Sequence, residues 1–226
     1  VLYANKVKRV LKYFYFYGNN KIRYMLNKFL KTGLAIFCVI LLFSFTVNKT
    51  PGEAIKGDYQ QALRGFEYLK KVRKDPNAFT ERLRVSLKDI PAGPELRWND
   101  TLAAVAEQRA LDMAQNDYYG HIDKEGYGAN YYINKAGFRL DDEFLKHKRG
   151  DDFEAVIAGS YQSGEEAIGA MITDRDESDA ASRKLLLAMT DFSKGLTEIG
   201  IGFVHGTKET KYRYYTVVII AKRRKV

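Results

Sequence analysis

One stretch of this chain constrains its fold more than any other. Leu96-Arg97-Trp98-Asn99-Asp100 leads into a periodic segment, Leu102, Val105, Ala106, Arg109, Ala110, Met113 and Ala114, which runs out at Asn116-Asp117 and Gly120 just before His121. The i, i+3, i+4 spacing predicts an amphipathic helix with Asp100 as its N-cap and Asn116, Asp117 and Gly120 marking its exit. His121 then falls just past a helix C-terminus, in a loop that also carries Tyr118 and Tyr119. Histidine is the side chain that most readily titrates or binds metal near neutral pH, so this loop is the first candidate site.

The surrounding sequence alternates helices and ends in a hairpin. Tyr59, Ala62, Leu63, Phe66, Leu69 and Val72 form one apolar stripe that Asp75-Pro76 terminates. A short helix is expected from Phe79 to Leu87, a tyrosine-rich one from Gly126 to Ala136, and another from Glu165 to Thr173 with acidic residues in its first turn, where the helix dipole favours them. The segment 140–152 has mixed charge without periodicity, including Lys146-His147-Lys148-Arg149, and reads as a solvated surface insertion. Thr197 to Val204 and Tyr212 to Ala221 are β-rich and flank a loop longer than two residues. The second run is almost entirely β-branched or aromatic, as a strand covered on both faces requires. Trp98 is expected in the core, and Gly200 and Gly202 are expected to permit close packing.

Charge separates the chain into two parts. Residues 1–52 hold nine basic side chains and no acidic one, while the remainder balances 28 basic against 28 acidic, so the whole formal charge of +9 belongs to the front. The globular part therefore lacks the net positive field of a nucleic-acid binder, and no nucleic-acid partner is expected. In the front part, basic residues precede the apolar run Gly33 to Val47, which is the order of an export signal. That run is shorter than the roughly 20 residues a spanning helix wants, which favours a cleaved signal over a retained transmembrane anchor. Gly52-Glu53-Ala54 supplies a small-x-small cleavage site. Residues 25–54 are thus read as signal or anchor, with membrane contact only through 33–47 if uncleaved. Residues 1–24, basic and aromatic, can be read as an over-extended gene start. The only cysteine, Cys38, lies within the apolar run and lacks the small-residue pair of a lipidation site, so residues 55–226 form a domain without disulfides. At about 170 residues such a domain buries enough surface to do without them.

Six short motifs stand in a telling order: Leu96-Arg97-Trp98-Asn99, Asp112-Met113-Ala114, Gly120-His121, Glu154-Ala155-Val156-Ile157-Ala158, Ser182-Arg183 and Ile199-Gly200-Ile201-Gly202. In that order, over roughly residues 57 to 222, they resemble the CAP superfamily of cysteine-rich secretory proteins, antigen 5 and plant pathogenesis-related proteins, whose unit is also called the SCP domain. The absence of cysteine resembles bacterial members. The resemblance implies an α+β fold, an α-β-α sandwich with a central antiparallel sheet between helical layers. It also implies a groove in which two histidines and two acids can hold a divalent metal.

Carried over residue by residue, His121 matches the first histidine, Glu154 the glutamate of the Glu-Asn-Ile-Ala motif, and Asp174 the acid at the end of the groove helix. Ser182 stands where the second histidine belongs. Zinc sites usually take three or four side-chain ligands, so no cofactor is expected and any zinc binding would be weak, with His121 as the ligand unless His147 or His205 reaches in.

Two classes of function fit these residues. One is a noncatalytic, secreted or extracytoplasmic module, or one anchored by an N-terminal transmembrane helix, that binds a lipid, glycan or protein ligand in a groove walled by Tyr118, Tyr119, Tyr127 and Tyr131. The alternative is a peptidase-like hydrolase using His121 with Glu154, Asp174 or Ser182. The chain has no Gly-x-Ser-x-Gly elbow and no His-Glu-x-x-His, and those absences favour binding over catalysis.

Overall fold

The computed structural model describes residues 53–173 and 180–224, and from Glu53 onward the chain forms one compact unit. The expected signal or anchor, Cys38 and Asp174 lie outside the described residues. Strand β1 (Lys56–Gly57) precedes helix α1 (Tyr59–Lys74) and the short α2 (Thr80–Leu83). Strand β2 (Arg97–Trp98) leads into α3 (Asp100–Gln115) and α4 (Ala129–Lys135). Then come β3 (Glu154–Gly159), α5 (Gly164–Thr173), α6 (Ala181–Leu186), α7 (Asp191–Lys194), β4 (Glu198–His205) and β5 (Tyr214–Ala221). Among the described residues no helix is long and apolar enough to cross a membrane.

The sheet runs β1-β4-β5-β3 with antiparallel neighbours, while β2 joins β4 in parallel. The architecture is the expected α+β fold with a central antiparallel sheet, to which the two-residue β2 adds one parallel pairing at β4. Its two residues reach β4 because the Arg97 amide bonds the Thr197 carbonyl and the Asn99 amide bonds that of Ile199. Helix α3 packs on β4 and β5, α5 and α6 lie against β3, and α1 lies against α5 and β4. Nearly every residue of β5 is buried, in agreement with its unbroken β-branched and aromatic run.

Two glycines set how closely α3 approaches the sheet. A Cβ on Gly200 would fall 2.0 Å from the Ala103 amide nitrogen, and one on Gly202 would fall 2.3 Å from the Ala106 carbonyl carbon. These distances are far inside van der Waals contact, so the helix backbone lies directly on bare strand, as expected from the sequence.

Several local expectations need correction. The N-cap of α3 is Asn99, whose side chain accepts from the Leu102 amide. Asp100 is the first helical residue and accepts from the Trp98 indole nitrogen instead. Trp98 is only half-buried, edge-on to Tyr59 and tilted against Phe66. The helix expected over 79–87 is confined to a 3-10 turn (Asn77–Phe79) and α2, because Arg84 turns left-handed at φ 52° and ends it. The segment 140–152 is not simply solvated. Leu140 is buried, Phe144 packs on Phe153, and Asp152 accepts from the buried Asn130. Residues 154–159, matched only as a motif, form a sheet strand.

Candidate functional site

The site begins with the register of the sheet. Gly200 pairs with Ile219, and Ile219 pairs in turn with Glu154 on β3. Residues directly opposite across antiparallel strands share a face, so Glu154 points to the face that Gly200 presents to α3. From α3 the stripe position Arg109 points back. The two meet fully buried, with side-chain exposures of 2% and 0%, Arg109 Nε donating to Glu154 Oε1 at 3.1 Å.

The second oxygen of Glu154 holds the loop histidine. His121 Nδ1 lies 2.9 Å from Oε2, and the imidazole remains one-third exposed. The loop that carries it is pinned by the same guanidinium, since Arg109 Nη2 donates to the carbonyls of His121 at 2.8 Å and Gly120 at 3.4 Å. Arg109 Nη1 donates to the Tyr118 hydroxyl, which donates to Asp112 one helical turn further along α3. The Arg109 guanidinium also lies 5.7 Å from the centroid of the Tyr132 ring. One buried cation therefore organises a carboxylate, a phenol and two loop carbonyls.

The electrostatics follow from this arrangement. Burial alone would lower the pKa of Arg109, but the charge and hydrogen bond of Glu154 outweigh it and the net shift is upward. Burial and the hydrogen bond to Asp112 push the Tyr118 hydroxyl up. Asp151, whose carboxylate lies 3.9 Å from His121, is raised by burial against the opposing pull of the imidazole. Just beyond the histidine, Asp123 accepts from the Glu125 and Tyr127 amides and from the Tyr132 hydroxyl. Burial works against its charged form, but these bonds win and its carboxyl is held below the usual range.

Of the expected site residues, the structure brings together His121, Glu154 and Tyr118. Tyr119 lies beside them, its hydroxyl donating to the Val156 carbonyl of β3 and its ring edge-on to Tyr212. Tyr127 and Tyr131 stack at 4.3 Å, and Tyr131 also meets Tyr132 edge-on. Ser182 is buried in α6, while its neighbour Arg183 caps α5 by donating to the carbonyls of Ile172 and Thr173. Asp174 is outside the described residues. His205 is held instead by Asp58 at 3.0 Å, and His147 is exposed in the 140–152 segment. Arg109, Asp112, Asp123 and Asp151 were not singled out from the sequence as site residues. The available signal was an arginine within an apolar stripe, because a buried guanidinium calls for a buried acid.

A metal would need donors that the present residues have already committed. Both oxygens of Glu154 and the Nδ1 of His121 are engaged with one another and with Arg109. Ser182 offers no imidazole, and among the described residues no three His, Cys, Asp or Glu side chains group as metal donors. The described donor set does not fit a divalent cation.

Residues 92–220 match the model of the cysteine-rich secretory protein family, CAP. No curated protein matches the chain. Among solved structures, the chain is similar to an extracellular protein containing a SCP domain from Bacillus anthracis, with 20% identity over 73% of this chain and 41% of that one, TM-score 0.47. It is also similar to an outer surface protein from Borrelia burgdorferi, with 16% identity over 76% of this chain and 100% of that one, TM-score 0.49. The chain thus spans about two fifths of the length of the first of these.

Proposed function

The chain belongs to the cysteine-rich secretory protein (CAP) family, and on that premise we propose that it is a noncatalytic, extracytoplasmic binding module that takes a lipid, glycan or protein ligand at the His121 groove. The observation that carries this reading is the state of Glu154. Its carboxylate is fully buried and both oxygens are occupied, one by Arg109 and one by His121. A general base must reach a substrate proton, and this carboxylate is spent on positioning. What faces outward is a one-third exposed imidazole two residues from the exposed Tyr119, aromatic and polar at once, as binding surfaces commonly are.

The hydrolase alternative draws on the same bond, because a carboxylate on Nδ1 is how a catalytic imidazole is oriented. Its candidate nucleophile, Ser182, is buried in α6. The committed donors further imply zinc affinity weaker than micromolar, with Ser182→His supplying a missing ligand.

The two readings part in one experiment. Full-length protein from a native-like source is analysed by mass spectrometry for bound lipid, glycan or cross-linked protein, and is assayed against peptide and ester substrates. A bound ligand lost in Tyr119→Ala is expected, whereas turnover abolished by His121→Ala would overturn the proposal.

A further inference from the structure

A second buried arginine stands at the far end of α1. Arg73 is 1% exposed, and its Nε and Nη1 are buried without a hydrogen-bond partner among the described residues. Its only polar contact there is a long one, Nη2 to the Ser193 carbonyl at 3.4 Å. Burial, with no acidic group opposing it, lowers its pKa to about 10, so it still carries its charge at neutral pH. A buried cation without a counter-charge is costly, and proteins seldom keep one unless something compensates it.

The space beside it is suited to that compensation. A cavity of about 490 Å³ is lined by Arg73 together with Lys70, Lys71, Lys74 and Glu95. Lys70 is paired with Glu67 at 2.9 Å, so the cations left to the cavity are Arg73, Lys71 and Lys74, against Glu95. Basic residues in a last helical turn commonly answer the helix dipole, and that accounts for Lys71 and Lys74 as exposed side chains. It does not account for an unpartnered guanidinium sealed behind them. Gly93 does the sealing: its amide bonds the Arg73 carbonyl, and a Cβ there would lie 2.6 Å from Nε. Contacts to a ligand would therefore come from the lysines, with Arg73 acting through its field across a low-dielectric wall.

We propose that this cavity binds a phosphate ester, whose anionic group serves as the missing counter-charge of Arg73. Phosphate suits the set better than a carboxylate because it carries more charge and more acceptor oxygens, and lysine meets it as a mobile point charge. The volume exceeds what a bare ion needs and leaves room for the esterified group. None of its lining residues belongs to the Arg109–Glu154–His121 cluster, so the site stands whether or not the groove reading does.

Calorimetric titration of the full chain with glycerol 1-phosphate, and with dihexanoyl phosphatidylglycerol below its micelle-forming concentration, distinguishes a free phosphate ester from a lipid headgroup. Saturable binding of either is expected, accompanied by a shift of the Arg73 Nε–H resonance in nitrogen-15 spectra. Lys71→Gln/Lys74→Gln, made at exposed positions that folding does not need, should weaken it about tenfold or more through loss of charge-assisted hydrogen bonds. Absence of saturable binding by both compounds overturns the proposal, as does binding that the double variant leaves intact.

Discussion

Arg109 and Arg73 are the same residue type at the same depth, 2% and 1% exposed, yet they sit in opposite electrostatic states. Arg109 meets a fully buried carboxylate, two carbonyls and a phenol, and its pKa rises above the ordinary value. Among the described residues the Arg73 side chain has one long carbonyl contact, and its pKa falls. Burial disfavours both charges equally in kind, so the partner decides the sign. An arginine in an apolar stripe therefore indicates a site only once its counter-charge is located. In one case the protein supplies it from a neighbouring strand, and in the other it leaves a cationic cavity.

The largest effect should come from turning one arginine into the other. Glu154→Gln leaves Arg109 buried without a counter-charge, and denaturant unfolding should show a loss of about 3–5 kcal/mol. A loss below about 1 kcal/mol would mean that the pair contributes little and that the contrast with Arg73 is empty.

Gly200→Ala attacks the same pair through its frame. The new methyl would displace α3 from the strand row that carries Glu154, and overpacking of this kind costs roughly 1–3 kcal/mol or more. If the row positions the pair, the His121 resonances should shift as well. An unchanged histidine spectrum would separate the site from the packing beneath it.

His121→Ala removes one hydrogen bond from a buried carboxylate that keeps its arginine. The expected cost is about 1 kcal/mol, read as a lowered midpoint in thermal melting. A cost equal to that of Glu154→Gln would make the histidine a structural support rather than a groove residue.

Arg73→Met keeps the volume and deletes the uncompensated charge, so stability should change by less than about 1.5 kcal/mol in either direction. A loss as large as that of Glu154→Gln would show that Arg73 is compensated after all.

The smallest effect is a pH dependence carried by carboxylates other than Glu154. Asp58 and Asp123 have carboxyls held below their ordinary range: burial opposes the charge at each, and hydrogen bonds to Gln61 and His205 for Asp58, and to Tyr132 and Tyr127 for Asp123, overcome it. A depressed folded pKa contributes stability that is present above the unfolded value and lost as pH falls through the folded one. Melting temperature should therefore drop on acidification below about pH 4, the unfolded aspartate value. Asp123→Asn should flatten that drop, and a drop of unchanged steepness would assign it to other groups.

Much of this was legible in the residues. The stripe from Leu102 to Ala114 located α3 within a residue, because periodicity reports a face directly, and the unbroken β-branched run located β5. The glycines of β4 were read as close-packing positions because nothing else explains two of them in one strand. The strand 154–159 was missed, although Gly150-Asp151-Asp152 and Gly159-Ser160 bound it, because its apolar run is short and opens on a charged residue. Trp98 was placed too deep, since an aromatic at a motif position says nothing about which face of a two-residue strand it occupies.

The sequence by itself determined the family and the fold class, because these rest on local periodicity and on motifs read in order. Only the tertiary structure decided which charges meet. Arg109 and Glu154 are 45 residues apart and touch because cross-strand register and a glycine-bared strand bring α3 onto β4 and β5, next to β3, whereas Arg73, on an equally regular stripe, meets no carboxylate among the described residues. Long-range pairing depends on how sheet and helices close on one another, and no window of sequence contains that information.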